Sequence, residues 1–440
     1  MATPSLEEGP VYECPPQLQL ELVHVFFRHG ERTPNDARFE NTGGKTEWPF
    51  NQSATAPKTL FQGTGPKLVP INDEVDKPLL PDGRRPISCA HGDLTDRGRA
   101  TAERLGRQLR NLYVEQINFM PEVLDDFYKI YLRSTQYQRT FVTLQNVFRG
   151  LYPPKFINGR QEDILVSVAD PRDETLLPPE DHDERFAALL QEFTNRAAAK
   201  WNYSPEMRLI NTKIGQWMPE GKPVAVDSKP LKLHGVLDTI SAVTATPRPE
   251  DYLPAEFLDP GMRVTMETIC AEEEFAGYVY SKEFRSLGVG RILQETIHRM
   301  SSLANQIDQI SGSEQKPRLL IFACHDSTIA GILGSLGAMN DPNWFWPPYT
   351  AHVTMELFRH VGEEACHGDT RTTTGLSWYV RLRYQNNPVM LPCGTKEGNH
   401  LPGHQEMCTL ASLRDAIEEF APIKSAFFNK TEFLRKQSRI

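Results

Sequence analysis

Long apolar runs, an excess of basic residues and closely spaced cysteines are all missing from this 440-residue sequence. No apolar stretch approaches the ~20 residues that cross a bilayer, which excludes a transmembrane helix. The net charge of −9 argues against nucleic-acid binding, because such binding needs a basic face. The seven cysteines include no Cys-x-x-Cys pair, which argues against a zinc ribbon or redox dithiol. The composition, 39% hydrophobic and 24% charged, is that of an ordinary globular protein.

The amino-terminal segment lacks the features of a targeting signal. Its first twenty residues contain no lysine or arginine and no uninterrupted apolar segment of signal-peptide length. This favours an intracellular protein over a secreted one. The oligomeric state stays open at this stage, a homodimer included.

A cluster of charged residues follows directly after one short apolar run. Residues 22–27 have the length and composition of a buried parallel strand, and residues 28–34 read Arg-His-Gly-Glu-Arg-Thr-Pro. The glycine and proline indicate a turn, so the cluster lies at the carboxyl end of the strand, where open α/β sheets bind ligands. Arginine forks match phosphate oxygens, and two flanking arginines favour a neutral, nucleophilic His29. The cluster predicts a phosphate site, with a plain surface turn as the alternative.

Two further apolar runs end in residues of the same kind. Residues 127–132 precede Arg133-Ser134-Thr135, with Arg139 shortly after, and residues 319–324 precede His325-Asp326. Each run is followed by a helical pattern. Two alternatives stay open at this point: Arg133 can pair with a nearby carboxylate, and Asp326 can simply cap a helix.

Together the three segments resemble the histidine acid phosphatase family, branch 2 of the histidine phosphatase superfamily. The resemblance implies an α/β fold, a three-layer α/β/α core with a mostly parallel sheet and a smaller, mainly α-helical cap. It implies that His29 forms a phosphohistidine and that Asp326 donates a proton to the leaving oxygen. It also implies four residues that bind the phosphate of the substrate: Arg28, Arg32, Arg133 and His325. Neither a metal nor another cofactor is expected, and an acidic optimum follows because a carboxylic acid donates only while protonated.

The same resemblance divides the chain into a core and a cap. The core is expected at residues 15–154 and 281–440, with a long loop-like insertion at 36–91, and the cap at 155–280. Residues 353–358 and 378–384 are predicted as strands, antiparallel neighbours at one edge of the sheet. Cys393 and Cys408 resemble a cysteine pair of the family, which implies a disulfide in an oxidising compartment, whereas Cys324 is expected to be a buried hydrophobe.

The expected substrate is a small phosphorylated molecule, and only weak sequence patterns bear on its identity. Residues 346–348 (Trp-Pro-Pro) and 111–115 resemble the lysophosphatidic acid phosphatase branch, which implies lysophosphatidate or a broad substrate range. The aromatic cluster at 344–349 is expected to pack at a domain edge rather than to line a substrate wall. A phytase-like enzyme is the alternative, although the charge of residues 155–280 is mixed rather than basic. A non-catalytic phospho-ligand binding protein would be expected to lack a catalytic residue, and none is missing.

Overall fold

The computed structural model describes residues 12–48, 89–158, 166–228, 231–308, 317–339, 343–361 and 377–421. Most of the insertion predicted at 36–91 therefore lies outside the described residues. The strands are β1 (Leu18–Arg28), β2 (Ile130–Ser134), β3 (Val166–Ser167), β4 (Leu319–Cys324), β5 (His352–His360), β6 (Trp378–Tyr384), β7 (Asn387–Val389), β8 (His400–Leu401) and β9 (His404–Thr409). The helices are α1 (Asp96–Arg110), α2 (Gln138–Leu151), α3 (Glu184–Trp201), α4 (Pro205–Ile214), α5 (Leu233–Thr244), α6 (Pro260–Tyr280), α7 (Lys282–Arg285), α8 (Arg291–Asp308), α9 (Asp326–Ser335) and α10 (Leu410–Glu418).

The strands form a single mixed sheet in the order β3-β2-β4-β1-β5-β6-β9-β8, with β7 beside β6. β1, β2, β3 and β4 are parallel, and β5 continues the sheet antiparallel to β1. In register, Ile321 of β4 lies between Val25 of β1 and Leu132 of β2. Because these three strands run in the same direction, their carboxyl ends meet at one edge of the sheet.

Helices cover both faces of this sheet, as expected for an α/β fold. α1 and α2 pack their leucines and phenylalanines on one face, and α8, α9 and α10 pack on the other. The crossing of α1 and α2 is close because it contains two glycines. A Cβ at Gly106 would lie 2.0 Å from the Val147 carbonyl oxygen, and one at Gly150 would lie 2.1 Å from that of Glu103. A side chain at either position would push the two helices apart.

The segment predicted as the cap contains helices α3, α4, α5 and α6, which enclose a third apolar cluster. α3 and α6 contribute to this cluster at one end and to the core of the sheet at the other. β3 also comes from this segment but pairs with β2 in the sheet. The cap is thus anchored to the core through two long helices and a strand. No described helix is long and apolar enough to cross a membrane.

The predicted pair of edge strands is antiparallel, but it does not end the sheet. β5 and β6 pair in antiparallel register, and β9 and β8 extend the sheet beyond β6. Cys408 of β9 and Cys393 are free thiols joined by a hydrogen bond between their side chains, so the disulfide stays a prediction. Cys324 is fully buried in β4, where its thiol donates to the Phe27 carbonyl at 3.3 Å.

Candidate active site

His29 is held immediately beyond β1 by hydrogen bonds on both sides of its backbone. Its amide donates to the Cys324 carbonyl at 3.1 Å, and its carbonyl accepts from the Thr350 amide at 3.1 Å. The imidazole Nδ1 lies 2.9 Å from the Gly30 carbonyl oxygen. Since a carbonyl oxygen only accepts, Nδ1 carries the proton and Nε2 keeps its lone pair. Burial, followed by the charges of Arg139 and Arg28, holds the pKa of His29 well below 6.5.

The loop after His29 depends on a close contact with the amino terminus of α1. A Cβ at Gly30 would lie 2.5 Å from the Gly98 carbonyl oxygen, so that a larger residue would displace the loop. The Gly30 amide donates to Thr143 Oγ1 of α2 at 3.1 Å. Glu31 accepts a hydrogen bond from the hydroxyl of Thr101 and forms an ion pair with Arg97 at 3.3 Å. The second and third residues after Arg28 therefore shape the loop rather than the chemistry.

Three arginines approach His29 from different parts of the chain. Arg28 donates to the Pro347 carbonyl at 2.6 Å and pairs with Asp326 at 2.7 Å. Arg32 pairs with Asp238 of α5 at 2.6 Å. Arg139 lies on α2 with its guanidinium 4.5 Å from the centre of the Tyr137 ring. Among the described residues, Arg139 forms no ion pair, and its buried Nε has no hydrogen-bond partner.

The surroundings of Arg139 destabilise its positive charge. Burial, followed by the neighbouring charge of Arg32, lowers the pKa of Arg139 to about 10. A guanidinium without a counter-ion next to another cation is the arrangement expected where an anion is to bind. Arg139 is also the largest charge contribution to the lowered pKa of His29.

Arg133 is placed differently from the expectation. Its guanidinium pairs with Glu174 at 2.8 Å and with Glu295 at 3.1 Å, and it donates to Thr175 Oγ1 at 3.0 Å. Three partners occupy this side chain, which is buried together with the side chain of Glu174, whereas that of Glu295 is partly exposed. The carboxylate pairing weighed from the sequence is thus what the structure has, and Arg139, six residues later, is the arginine that faces His29.

His325 and Asp326 form the start of α9 on the other side of the nucleophile. The rings of His29 and His325 are 5.6 Å apart, and His325 Nε2 lies 3.0 Å from Thr135 Oγ1. Burial, followed by the charge of Arg139, lowers the pKa of His325 to about 3, so the ring is neutral. Asp326 does not cap α9, because His325 occupies the N-cap position. Its Oδ1 accepts from the Ser327 amide at 3.0 Å.

Asp326 is ionised in the free site. Burial works to raise its pKa, but the charge of Arg28, followed by that of Arg32, outweighs burial and lowers the pKa to about 2. A bound phosphoryl group would bring negative charge to the same arginines and oppose this shift. Asp326 can therefore hold a proton only when the anion is present or the solution is acidic.

Two aromatic residues of the 344–349 cluster also belong to the site. Trp346 donates its indole N–H to Asp326 Oδ2 at 3.0 Å. The Tyr349 ring lies 5.9 Å from the His29 ring and 4.4 Å from the Arg28 guanidinium. Its hydroxyl is buried without a hydrogen-bond partner in the described part of the chain. Trp344 is buried in the core, and Phe345 and Trp346 pack against it, so the packing interpretation holds for these three residues.

A neutral imidazole with a free Nε2, surrounded by arginines and faced by a His-Asp pair, is the arrangement of one family. The family model described as the histidine phosphatase superfamily (branch 2) matches residues 19–385. The chain belongs to this family. The prediction made from the three motif segments is thereby confirmed.

Relatives of known name agree with this assignment. A probable acid phosphatase of Schizosaccharomyces pombe is 32% identical, and the alignment covers 94% of this chain and 95% of the relative. The lysophosphatidic acid phosphatase type 6 of Homo sapiens is 24% identical, with 88% of this chain and 82% of the relative covered. These relatives confirm the predicted enzyme class, a phosphoric monoester hydrolase of the acid phosphatase type.

Solved structures of the family share the fold. A Hafnia alvei phytase in complex with tartrate superposes with a TM-score of 0.58 at 14% identity, covering 93% of this chain and 98% of the phytase. A multiple inositol polyphosphate phosphatase of Bifidobacterium longum, in complex with inositol hexasulfate, gives 0.59 at 10% identity, covering 94% and 95%. The predicted α/β fold of this family is confirmed.

The sequence pattern missed the residues that reach the site from distant segments. Arg139 stood close to a predicted strand end, in the first turn of α2, but nothing in the sequence favoured it over Arg133. Asp238 and His234 come from α5 of the cap, 200 residues after the first motif. Their helix has no feature that predicts a contact with the core.

Proposed function

We propose that the chain hydrolyses phosphate monoesters by transferring the phosphoryl group to Nε2 of His29. The observation that carries this proposal is the hydrogen bond from His29 Nδ1 to the Gly30 carbonyl. It leaves Nε2 unprotonated among cationic side chains, which is what a nucleophile toward a phosphate anion needs. Arg28, Arg32 and Arg139 neutralise the phosphoryl oxygens, and the unpartnered Tyr349 hydroxyl can donate to one of them.

The reaction has two steps. In the first, the Nε2 lone pair attacks phosphorus, the ester P–O bond breaks, and the leaving oxygen takes the proton of Asp326. If the Thr135 hydroxyl donates to His325 Nε2, the proton of His325 lies on Nδ1, which can donate to the phosphoryl group. In the second step water attacks the phosphorus of the phosphohistidine and gives a proton to the Asp326 carboxylate. The P–Nε2 bond breaks, its electron pair returns to His29 Nε2, and inorganic phosphate leaves. We assign Asp326 as the acid because it is the first residue of α9 and its carboxylate lies beside Arg28, one of the proposed phosphate-binding arginines.

The mechanism is tested with His29→Ala and Asp326→Ala, assayed at about pH 5 on aryl and alkyl phosphates. His29→Ala is expected to lose at least about 1,000-fold in kcat, because no nucleophile remains. Asp326→Ala should lose about 100-fold more on an alkyl phosphate than on 4-nitrophenyl phosphate, whose leaving group needs no proton. His404→Ala, at a surface histidine of β9, serves as the control. Wild-type activity in His29→Ala would rule out the mechanism.

For the substrate we propose lysophosphatidate or a related amphiphilic monoester. The support is the resemblance to the human lysophosphatidic acid phosphatase and the apolar surface beside Asp326. There the Trp346 ring packs 4.9 Å from Phe275 of α6. Rates should be compared across lysophosphatidate, phytate, phosphotyrosine and nucleotide monophosphates. A preference for phytate would favour the phytase-like alternative instead.

A further inference from the structure

The first two turns of α5 carry two polar side chains that face the candidate active site. Asp238 binds Arg32 at 2.6 Å, and His234 lies four residues earlier, on the same face of the helix. The His234 ring is 5.0 Å from the ring of Trp346, whose indole N–H donates to Asp326. His234 is thus separated from the proposed proton donor by a single aromatic ring.

One side of the His234 ring is occupied and the other is free. Its Nδ1 lies 3.1 Å from Glu274 Oε1 of α6. Its Nε2 has no hydrogen-bond partner among the described residues, and the side chain is 40% exposed. Glu274 therefore fixes the orientation of the ring and leaves an N–H donor open to a bound molecule.

The groups around His234 keep this donor charged. Burial works to lower its pKa, but the hydrogen bond and charge of Glu274, together with Glu273 and Asp326, raise the pKa to about 9. Asp238 on α5 and Glu180 on the loop before α3 also face His234, and the cation of Lys232 faces Glu180 and Glu273. At acidic and neutral pH the ring is an imidazolium whose Nε2–H points away from its carboxylate.

We propose that His234 is a specificity-determining residue that binds an oxygen of the leaving group through Nε2–H. The site would then prefer phosphate monoesters that carry a carboxylate, carbonyl or hydroxyl oxygen close to the ester carbon. This inference rests on the proposed function, because it places the leaving group beside Asp326. The Trp346 ring lies between Asp326, the proposed proton donor, and His234, the proposed hydrogen-bond donor. Its face can therefore position such a leaving group.

The test uses two small alkyl phosphates that differ in one group. Phosphoglycolate carries a carboxylate next to its ester carbon, and ethyl phosphate carries a methyl group there. His234→Leu is expected to lower kcat/KM for phosphoglycolate by about 10-fold to 100-fold, the range of a charged hydrogen bond, and that for ethyl phosphate by less than about 3-fold. His234→Gln, which keeps an N–H donor without the charge, should fall between wild type and His234→Leu.

The control is the other His–Glu pair of similar exposure. His404 Nδ1 lies 3.1 Å from Glu406 Oε1, and its side chain is 39% exposed. His404→Leu should change neither rate. If His234→Leu lowers both rates equally, or lowers only the melting temperature, His234 merely joins α5 to α6 and the inference is overturned. The two failures can be told apart. If His234→Leu leaves the ratio of kcat/KM for phosphoglycolate to that for ethyl phosphate unchanged while His29→Ala is inactive, only the inference is overturned. If His29→Ala is active, the proposed function is overturned.

Discussion

At the scale of single residues, two arginines six positions apart have opposite surroundings. Arg133 is buried against Glu174 and Glu295, and Arg139 is buried beside Arg32 with no carboxylate partner among the described residues. A charge with counter-ions stabilises the fold, and a charge without them stabilises a bound anion. The two positions should therefore respond to substitution in opposite ways.

We expect Arg139→Met to lower kcat/KM by about 100-fold or more and to leave the melting temperature unchanged or higher, because it removes a repelled charge. Arg133→Met should destabilise the fold by about 3 kcal/mol, because it leaves the buried carboxylate of Glu174 unpaired. Rates on 4-nitrophenyl phosphate and thermal unfolding of both variants provide the measurement. A large rate loss in Arg133→Met without any loss of stability would contradict this assignment.

The sequence predicted the site where its residues are adjacent in the chain. Arg28, His29 and Arg32 lie at the end of β1, and His325 and Asp326 directly follow β4. Predicting where these two strands end was therefore enough to locate the five residues. The choice between Arg133 and Arg139 could not be made from sequence, because it depends on Glu174 and Glu295, which lie far away in the chain. Trp346 and Tyr349 belong to an aromatic cluster that the sequence shows, but tertiary packing decides that their side chains face His29 and Asp326.

At the scale of elements, α5 joins the segment predicted as the cap to the loop after β1, which is proposed to bind phosphate. Asp238 of this helix accepts hydrogen bonds from Arg32 and Arg38 and from the Asn35 amide. Burial works against its charge, yet Arg32 and these hydrogen bonds lower the pKa of Asp238. The carboxylate is therefore the counter-ion of Arg32 while the site is empty.

Asp238→Asn is expected to lower the stability of the free protein by about 3 kcal/mol, since it leaves a buried arginine without its counter-ion. Inorganic phosphate supplies that charge, so it should raise the melting temperature of the variant more than that of the wild type. Thermal unfolding with and without phosphate measures both effects. Asp251→Asn, which breaks an exposed ion pair with Lys45, is the control and should show the wild-type response. Equal phosphate shifts in all three proteins would refute the role.

The sequence predicted the bounds of strands with a strong apolar pattern closely, and it did not predict the short strands. β4 and β6 have the predicted bounds, whereas β2 starts three residues late because Asp126 caps a 3-10 turn over Phe127–Lys129. β7, β8 and β9 were missed. β7 and β8 have three and two residues, too few to show alternation, and they form by pairing with β6 and β9. β9 has six residues and forms by pairing with β6.

At the scale of the whole molecule, buried neutral histidines link stability to pH. His24 lies in the core beside the stacked rings of Phe26 and Phe322, as expected for a core residue rather than a ligand. Neither ring nitrogen has a hydrogen-bond partner in the described part of the chain. Burial, followed by the charge of Arg299, lowers the pKa of His24 to about 3, and His325 has a pKa lowered to the same range.

We expect the fold to lose stability as the pH falls from about 6.5 toward 3. In that range the unfolded chain binds protons at these histidines and the folded chain does not, at a cost of about 2 kcal/mol for each histidine at pH 5. His24→Phe should therefore lose less stability between pH 7 and pH 5 than the wild type. Chemical denaturation at both pH values measures the difference, and parallel losses in the two proteins would contradict it.

The hydrogen bond between the His29 ring and the Gly30 carbonyl has a consequence for variation in this protein. The partner of Nδ1 is a main-chain oxygen, which every amino acid possesses, so removing a neighbouring side chain does not remove this atom. Adding one can move it. A side chain at Gly30 would meet Gly98 and shift the backbone, which would disturb the proposed nucleophile while leaving His29 and the arginines in place.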